Sequence, residues 1–452
     1  MKLTFYGGAQ SVTGAAYLLE SGGAKLLVDC GLAQGSRYAE AANWEPFPYN
    51  PRELSALVVT HAHIDHVGRI PKLVKEGYTS PIYSTPPTRD FSEALLLDSE
   101  HILGEEAEEK RKEPLYTAED VAQTVRQWQG VGYHEPFSVG PFTVEMFDAG
   151  HILGSAFIVI SVEGKKIVFS GDLGNSPAPF IQPREDLPGD ADFVLVESVY
   201  GGRVHENIDA RRDTLENLVE DTVKRGGTLM IPAFALERTQ ELLYELNTLT
   251  EEGRIPRVPI FIDSPLAIRL TAVYEKYSRN PLYFNRDAID AAKRGDAIFK
   301  FPGLAMTMTR EESDAIANVP PPKVIIAGSG MSQGGRILRH EMRYLPDPKN
   351  AIFFVGYQTR GSLGRRILDG EAEVTVNRMK IPVRAHPSVI SGYSAHADQP
   401  QLLEWLSGAR GGIRKAFVVQ GEEEEANALM QKMRDELAIV THIPAPNESV
   451  VL

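Results

Sequence analysis

The stretch "VVTHAHIDHVGRIP" (residues 58–71) places His61, His63, Asp65 and His66 within six positions, directly after a short apolar run, in a chain with eleven histidines. At this chain's own histidine frequency, a chance H-x-H-x-D-H has odds on the order of one in a few thousand. Just beyond a strand, residues two apart project to the same side. His61 and His63 can therefore converge on one cation, while Asp65 and His66, past the bend, aim at a second. Neutral imidazole combined with carboxylate suits zinc or a similar borderline metal.

Four side chains do not complete two metal sites, so further ligands are expected from other strand ends. "DAGHILGSA" offers His151 and "VFSGDLGN" offers Asp172, each after an apolar run and each flanked by glycine that lets backbone approach a metal. An aspartate can bridge two cations with its two oxygens. Asp29, ending "KLLVDCG", is read as orienting the histidine loop rather than ligating. His101, His134, His205, His340, His386 and His442 lack ligand spacing. Of these, His340 sits in a helical segment beside arginines, where it could meet phosphate, and His386, before a proline, reads as a turn residue.

The elements that must position these groups are an α/β set. "KLTFYG", "AAYLLES", "AKLLVDCG", "ALVVTHAH", "FTVEMFDAGH", "AFIVISVEG", "KKIVFSGD" and "DFVLVESVYG" read as short strands closed by turns, with a helix over 89–112, giving two sheets with helices outside. From about 206 the pattern becomes helix, strand, helix: "ARRDTLENLVEDTVKRG", "GTLMIPAF", "ALERTQELLYELNTLTEEG", then "VPIFIDSP" and "KVIIAGSG" before "GRILRHEMRYL". That alternation produces a parallel layer. "KAFVVQGEE" and "EANALMQKMRDEL" add one more strand and helix, with the acidic run at 422–425 read as a helix start. Residues 1–205 and 386–452 are expected to form one domain, with 206–385 inserted as an α/β domain.

With 42% hydrophobic and 24% charged residues, the 452-residue chain reads as soluble and globular. The start lacks the pattern of a secretory signal, no run is long enough to span a membrane, and the single Cys30 fits a reducing compartment, so a cytoplasmic location is expected. The net charge of −14 argues against a polyanionic partner only as an average. Residues 206–385 carry 26 basic against 24 acidic groups and the remainder 21 against 37. The basic part is therefore the middle, where Arg336, Arg339, Arg343, Arg360, Arg365, Arg366, Arg378, Lys380 and Arg384 crowd together. Individually these read as solvated side chains, and as a set they leave a polyanion open.

Asp29, "HAHIDH", His151 in "GHILGS" and Asp172 in "SGDLG" together resemble the motif set of the metallo-β-lactamase fold. "ESVYG" with Glu197, the inserted segment, "GSGMSQGGR", "GYQTRGSLG" and "SGYSAHAD" with His396 are similar to its β-CASP branch. Within that branch the chain resembles, over nearly its whole length, the nuclease related to the catalytic subunit of the cleavage and polyadenylation specificity factor. The resemblance implies an αββα sandwich with an inserted β-CASP domain and a zinc-dependent nuclease hydrolysing single-stranded RNA to 5′-phosphate and 3′-hydroxyl ends, by endonucleolytic or 5′-to-3′ exonucleolytic cuts. It implies that His61, His63 and His151 hold a first zinc, that Asp65, His66 and a late-chain histidine hold a second, and that Asp172 bridges them. It further implies that His396, supported by Glu197, is the general acid, and that Ser329, Gly330, Met331, Gly334, Gly335 and Arg336 hold substrate phosphates.

The bare residues agree with this chemistry. Two metals can clamp a phosphodiester, and a histidine beside a carboxylate can give the leaving oxygen its proton. A glycine-rich turn between strand and helix offers N–H groups to an anion. The departure is Gln420 in "KAFVVQGEE", where the family reads histidine; its amide oxygen is a weak neutral donor, so the second cation is expected to bind less tightly. A catalytically impaired RNA-binding protein, a nuclease acting on DNA and a thioester or lactam hydrolase on the same fold remain as alternatives, and a homodimer is an admissible assembly.

Overall fold

The structure, a computed structural model, describes residues 1–35, 37–206, 208–294, 297–356, 358–359, 361–390 and 392–452. Tyr357 and Arg360 of "GYQTRGSLG" and Ser391 of "SGYSAHAD" lie outside the described residues. By packing, the chain divides into one unit of Met1–Val204 with His396–Leu452 and a second of His205–Ala395.

The first unit is an αββα sandwich. One seven-stranded sheet runs, in spatial order, Ser449–Val451, Lys2–Gly7, Ala16–Ser21, Ala24–Val28, Ala56–Val58, Ile82–Ser84 and Trp128–Gly130. The other runs Thr441–His442, Lys415–Val419, Phe193–Glu197, Lys165–Phe169, Ala156–Val162, Phe142–Asp148 and Phe137–Val139. Burial follows position in the sheet. Phe142–Asp148, next to an edge, alternates buried and less buried residues, whereas Phe193–Glu197, between two parallel neighbours, is buried at every position. Two covered faces demand a continuous apolar run, and one covered face only every second residue. The sheets meet through aromatic pairs, with ring centroids 5.3 Å apart for Phe5 and Phe417 and 6.1 Å for Tyr17 and Phe169.

Helices close the two outer faces. Leu96 and Leu103 of Pro86–Glu109 and Val121 of Ala118–Gln127 pack with Leu27, Leu57 and Ile82 of the first sheet. Leu402 and Trp405 of Gln399–Ser407 and Leu429 of Glu423–Leu437 pack on Val194, Val196 and Val168 of the second. The helix expected over 89–112 starts earlier, because Thr85 caps it and Pro86 and Pro87 fill its first turn, where a missing N–H costs nothing.

The second unit is a six-stranded parallel sheet in the order Leu304–Met306, Ile260–Asp263, Lys323–Ala327, Thr228–Pro232, Ala351–Val355, His386–Ile390, beside a two-stranded hairpin. His386 is therefore not a turn residue: it opens the edge strand, where Pro387 is tolerated. The helix expected from Ala235 begins only at Arg238, because Glu237 takes a left-handed φ of +67°.

The candidate ligands of the first unit, and Asp29 that orients them, each follow a strand. Asp29 follows Ala24–Val28, the histidine cluster Ala56–Val58, His151 Phe142–Asp148, Asp172 Lys165–Phe169 and Gln420 Lys415–Val419. The sheets supply rigid origins for short loops, which is why so few residues suffice to build a site.

Candidate metal centre

His61 Nε2 and His151 Nε2 each lie 3.1 Å from His63 Nδ1, and they stand 3.3 and 3.5 Å from Asp172 Oδ2. Donor atoms about 2.0–2.1 Å from one zinc stand about 3 Å or more apart, and these four all lie within 4.8 Å of one another, so the group could hold a metal ion. Three imidazole nitrogens this close repel unless a cation or proton lies among them. Burial pushes His63 and His151 well below the ordinary imidazole value, which keeps their lone pairs available.

The two oxygens of Asp172 face different partners. Oδ2 belongs to the group just described, while Oδ1 lies 3.3 Å from His66 Nε2. On that second side Asp65 Oδ2 is 3.9 Å from His66 Nε2, and the Gln420 amide nitrogen is 2.9 Å from both His66 Nε2 and Asp172 Oδ1. The hydroxyl of Tyr17 stands 3.5 Å from the Gln420 carbonyl oxygen. As placed, the amide donates to Asp172; only its carbonyl oxygen could ligate a cation, and a half-turn of the terminal amide would exchange the two. Burial opposes the charge on Asp172, but His66, His61 and His396 hold its carboxyl well below the usual range. For His66, burial alone would lower the ring, and the carboxylates of Asp172, Asp29 and Asp65 raise it well above its ordinary value instead.

Asp29 and Thr60 set the tautomers. Asp29 Oδ1 accepts from the Thr60 backbone N–H at 2.8 Å, and Oδ2 accepts from the Thr60 hydroxyl and from His66 Nδ1, both at 2.8 Å. With its proton given to Asp29, the Thr60 oxygen accepts from His61 Nδ1 at 3.1 Å. Both rings thereby carry a proton at Nδ1, and each turns its Nε2 toward Asp172. Thr60 escaped the sequence reading, although its place directly before the histidine motif was the available signal. Asp29 and Gln420 adopt left-handed φ of +60° and +48°, a turn that costs on the order of 1 kcal/mol each and aims the side chain inward. Close approach does the rest. A Cβ on Gly31 would fall 1.5 Å from the Asp65 carbonyl oxygen, and one on Gly174 would fall 1.8 Å from that of Gly150.

His396 joins from the later segment. Its backbone bridges to Gly174, the N–H of Ala397 donates to Leu173, and its Nδ1 stands 3.2 Å from Glu197 Oε2 and 3.9 Å from Asp172 Oδ2. Glu197 is fully buried and also accepts from the Leu173 N–H at 2.7 Å. Burial alone would lower His396, but Glu197 and Asp172 raise it to about 9.

The glycine-rich loop belongs to the second unit. The N–H groups of Ser329, Ser332, Gln333 and Gly334 donate within the loop, which leaves those of Gly330, Met331 and Gly335 as the donors for an anion. Arg336 is already engaged: one terminal nitrogen donates to Asp263 at 2.7 Å and to the Thr307 carbonyl, the other to the Met308 carbonyl. His340 is buried with Nε2 2.8 Å from Asp263 Oδ2, so it faces an internal carboxylate instead of a phosphate. Elsewhere in the basic run, Arg339, Arg365, Arg366 and Lys380 pair with Asp314, Asp369, Glu371 and Glu373, and this local neutralisation leaves less charge for a polyanion than the sequence count suggests. Beneath the loop, Glu341 is hydrogen-bonded to Ser332 through one oxygen, while the other is buried without a partner among the described residues. Burial pushes its carboxyl up to about 8.

Comparison with known proteins gives three family matches. Residues 11–219 match the metallo-beta-lactamase superfamily, residues 239–367 the Beta-Casp domain and residues 380–444 a Zn-dependent metallo-hydrolase RNA specificity domain. The chain is 41% identical over 430 residues to a protein of Thermus thermophilus named Ribonuclease TTHA0252, covering 95% of each. It is 31% identical over 464 residues to the Transcription termination factor FttA of Methanosarcina mazei, covering 98% of this chain and 71% of that one. It is 30% identical over 451 residues to an RNase J-like protein of Methanocaldococcus jannaschii, covering 98% and 97%. A solved structure from Enterococcus faecalis, of a protein of unknown function, superposes with a TM-score of 0.56 over 100% of this chain and 99% of that one at 13% identity, a likeness of fold alone.

Two outcomes follow from the site. Asp29→Asn breaks the bond that orients His66 and should lower zinc affinity roughly 10–100-fold, read by titrating the metal-depleted protein calorimetrically. Glu341 keeps in the folded state a proton that the unfolded chain releases above its ordinary 4.5, so its contribution to stability falls as pH rises between 4.5 and about 8. Glu341→Gln should therefore gain on wild type from about pH 5 to about pH 9 in urea-melt midpoint; an equal shift at both values would contradict the assignment.

Proposed function

Because the chain belongs to the β-CASP branch of the metallo-β-lactamase superfamily and is a metal-dependent hydrolytic nuclease, we propose that it is a zinc enzyme cutting phosphodiester bonds of single-stranded RNA. The observation that carries this reading is the two-sided Asp172, with Oδ2 grouped with the nitrogens of His61, His63 and His151 and Oδ1 toward His66. The donor set of three imidazoles and a carboxylate fits zinc. The RNA specificity domain matched over residues 380–444 and the ribonuclease names of the relatives support RNA over DNA. Among the described residues no helix is long and apolar enough to cross a membrane.

His61, His63, His151 and Asp172 would hold the first cation; Asp65, His66 and Asp172, with Gln420 at their margin, would hold a second more weakly. Cations bound there supply Lewis acidity and a source of nucleophilic hydroxide near neutral pH. The chain's own residues do the rest. Asp29 and Thr60 fix the imidazole tautomers, and Glu197 fixes His396 Nδ1 as the nitrogen facing a carboxylate. His396 Nε2 is then the atom we assign to protonating the leaving sugar oxygen. Backbone N–H groups of Gly330, Met331 and Gly335 would bind phosphate; Ser329 and Gly334 shape that loop, and Arg336 braces it through Asp263.

The test combines elemental analysis with cleavage of a labelled single-stranded RNA. Wild type should carry about one tightly held zinc per chain at low metal and cleave RNA, and His63→Ala and Asp172→Ala should each lower turnover by at least about a thousandfold. Gln420→His should raise zinc occupancy above wild type. Undiminished turnover in both alanine variants would remove the mechanism.

A further inference from the structure

Phe234 is 47% exposed, which sets it apart among the described phenylalanines. It follows the strand Thr228–Pro232, whose parallel neighbour Lys323–Ala327 leads into the glycine-rich loop. The helix after the first strand, Arg238–Glu251, runs on to Ile260–Asp263 on one side of the pair; the helix after the second, Ile337–Tyr344, runs on to Ala351–Val355 on the other. Connections leaving two adjacent parallel strands in opposite directions open a crevice at their carboxyl ends, the usual ligand position in such sheets. Phe234 and Gly330 stand at that crevice.

The ring is held in place by its surroundings. The Ala233 N–H donates to the Ala327 carbonyl at 3.0 Å, and the Thr239 hydroxyl donates to the Phe234 carbonyl at 2.7 Å. Gly330 packs directly against the ring: a Cβ there would come 2.8 Å from both Cδ2 and Cε2 and 3.1 Å from Cγ. Gly330 is itself fixed by the buried Gln358, which donates to its carbonyl at 3.0 Å. The ring thus rests on backbone at one side, keeps nearly half its surface in water and adjoins the N–H groups left to an anion.

We propose that Phe234 is a stacking platform for one nucleobase of a single-stranded RNA whose adjoining phosphate lies on the Gly330–Met331 backbone. This deepens the nuclease reading and rests on it. An aromatic face beside backbone donors is what single-stranded nucleic acid needs, since every base has a π face and every nucleotide a phosphate. The same pairing explains why position 330 must be glycine: any side chain would displace the ring from the loop.

The full-length protein with Asp172→Ala is titrated with a labelled short single-stranded RNA and with an abasic oligomer of the same backbone length. Phe234→Ala added to that background should weaken RNA binding about tenfold or more while leaving the abasic oligomer unchanged, and Phe234→Trp should retain RNA affinity. Phe234→Leu, which keeps an apolar side chain without a π face, should behave as the alanine variant. Equal RNA affinity in wild type and Phe234→Ala, or equal losses for RNA and abasic oligomer, would overturn the platform. The nuclease reading is judged apart from this, by whether the protein with Asp172 and Phe234 intact cleaves RNA at all.

Discussion

Asp172 is 3% exposed and carries its charge in the interior, where an unpaired carboxylate would cost several kcal/mol. Its neighbours remove that cost by arriving from separate loops. His61 and His66 come from one strand end, His151 from another and His396 from the beginning of the later segment, all within 3.3–3.9 Å of one of its oxygens. Imidazole lone pairs and carboxylate oxygens repel one another unless a proton or a cation lies among them, so a cation is the natural third member of the set. The close backbone approach at Gly174 and Gly31 and the left-handed turns at Asp29 and Gln420 are local concessions to this buried charge.

The two sides of Asp172 are unequal for a physical reason. On the Oδ2 side the His61, His63 and His151 nitrogens and the carboxylate oxygen form a donor set that attracts a cation. On the Oδ1 side the Gln420 amide donates an N–H to Asp172 and satisfies that oxygen without one. A histidine in that place would add a lone pair, whereas a glutamine adds a group that can stand in either sense. Tyr17, whose hydroxyl burial keeps protonated, faces the carbonyl end of the amide and favours the observed sense.

The second unit uses its polar residues differently. Asp263 is buried and accepts from His340, Ser313, Thr307 and Arg336, and those bonds hold its carboxyl below the ordinary range against the opposing effect of burial. One internal carboxylate thus absorbs both the histidine and the arginine that, by residue type alone, were candidates for phosphate. What is left to face a ligand there is backbone and an aromatic ring.

The histidine motif, His151, Asp172 and the long strands were legible because each carries its signal within a few neighbouring residues. The three-residue strands Ile82–Ser84, Trp128–Gly130 and Phe137–Val139 were not, since a run that short has no period to read. The sequence by itself brought out His61, His63, His151 and Asp172, a group that could hold a metal. The tertiary structure alone decided that His61 and His66 carry a proton at Nδ1, how the oxygens of Asp172 divide, and that Arg336 is consumed internally. Those outcomes rest on contacts between residues far apart in the chain: Asp29 reaches His66 across 37 positions, Arg336 reaches Asp263 across 73, and Gln420 reaches His66 across 354. Only the pairing order of the sheets sets such distances, and no local pattern encodes it.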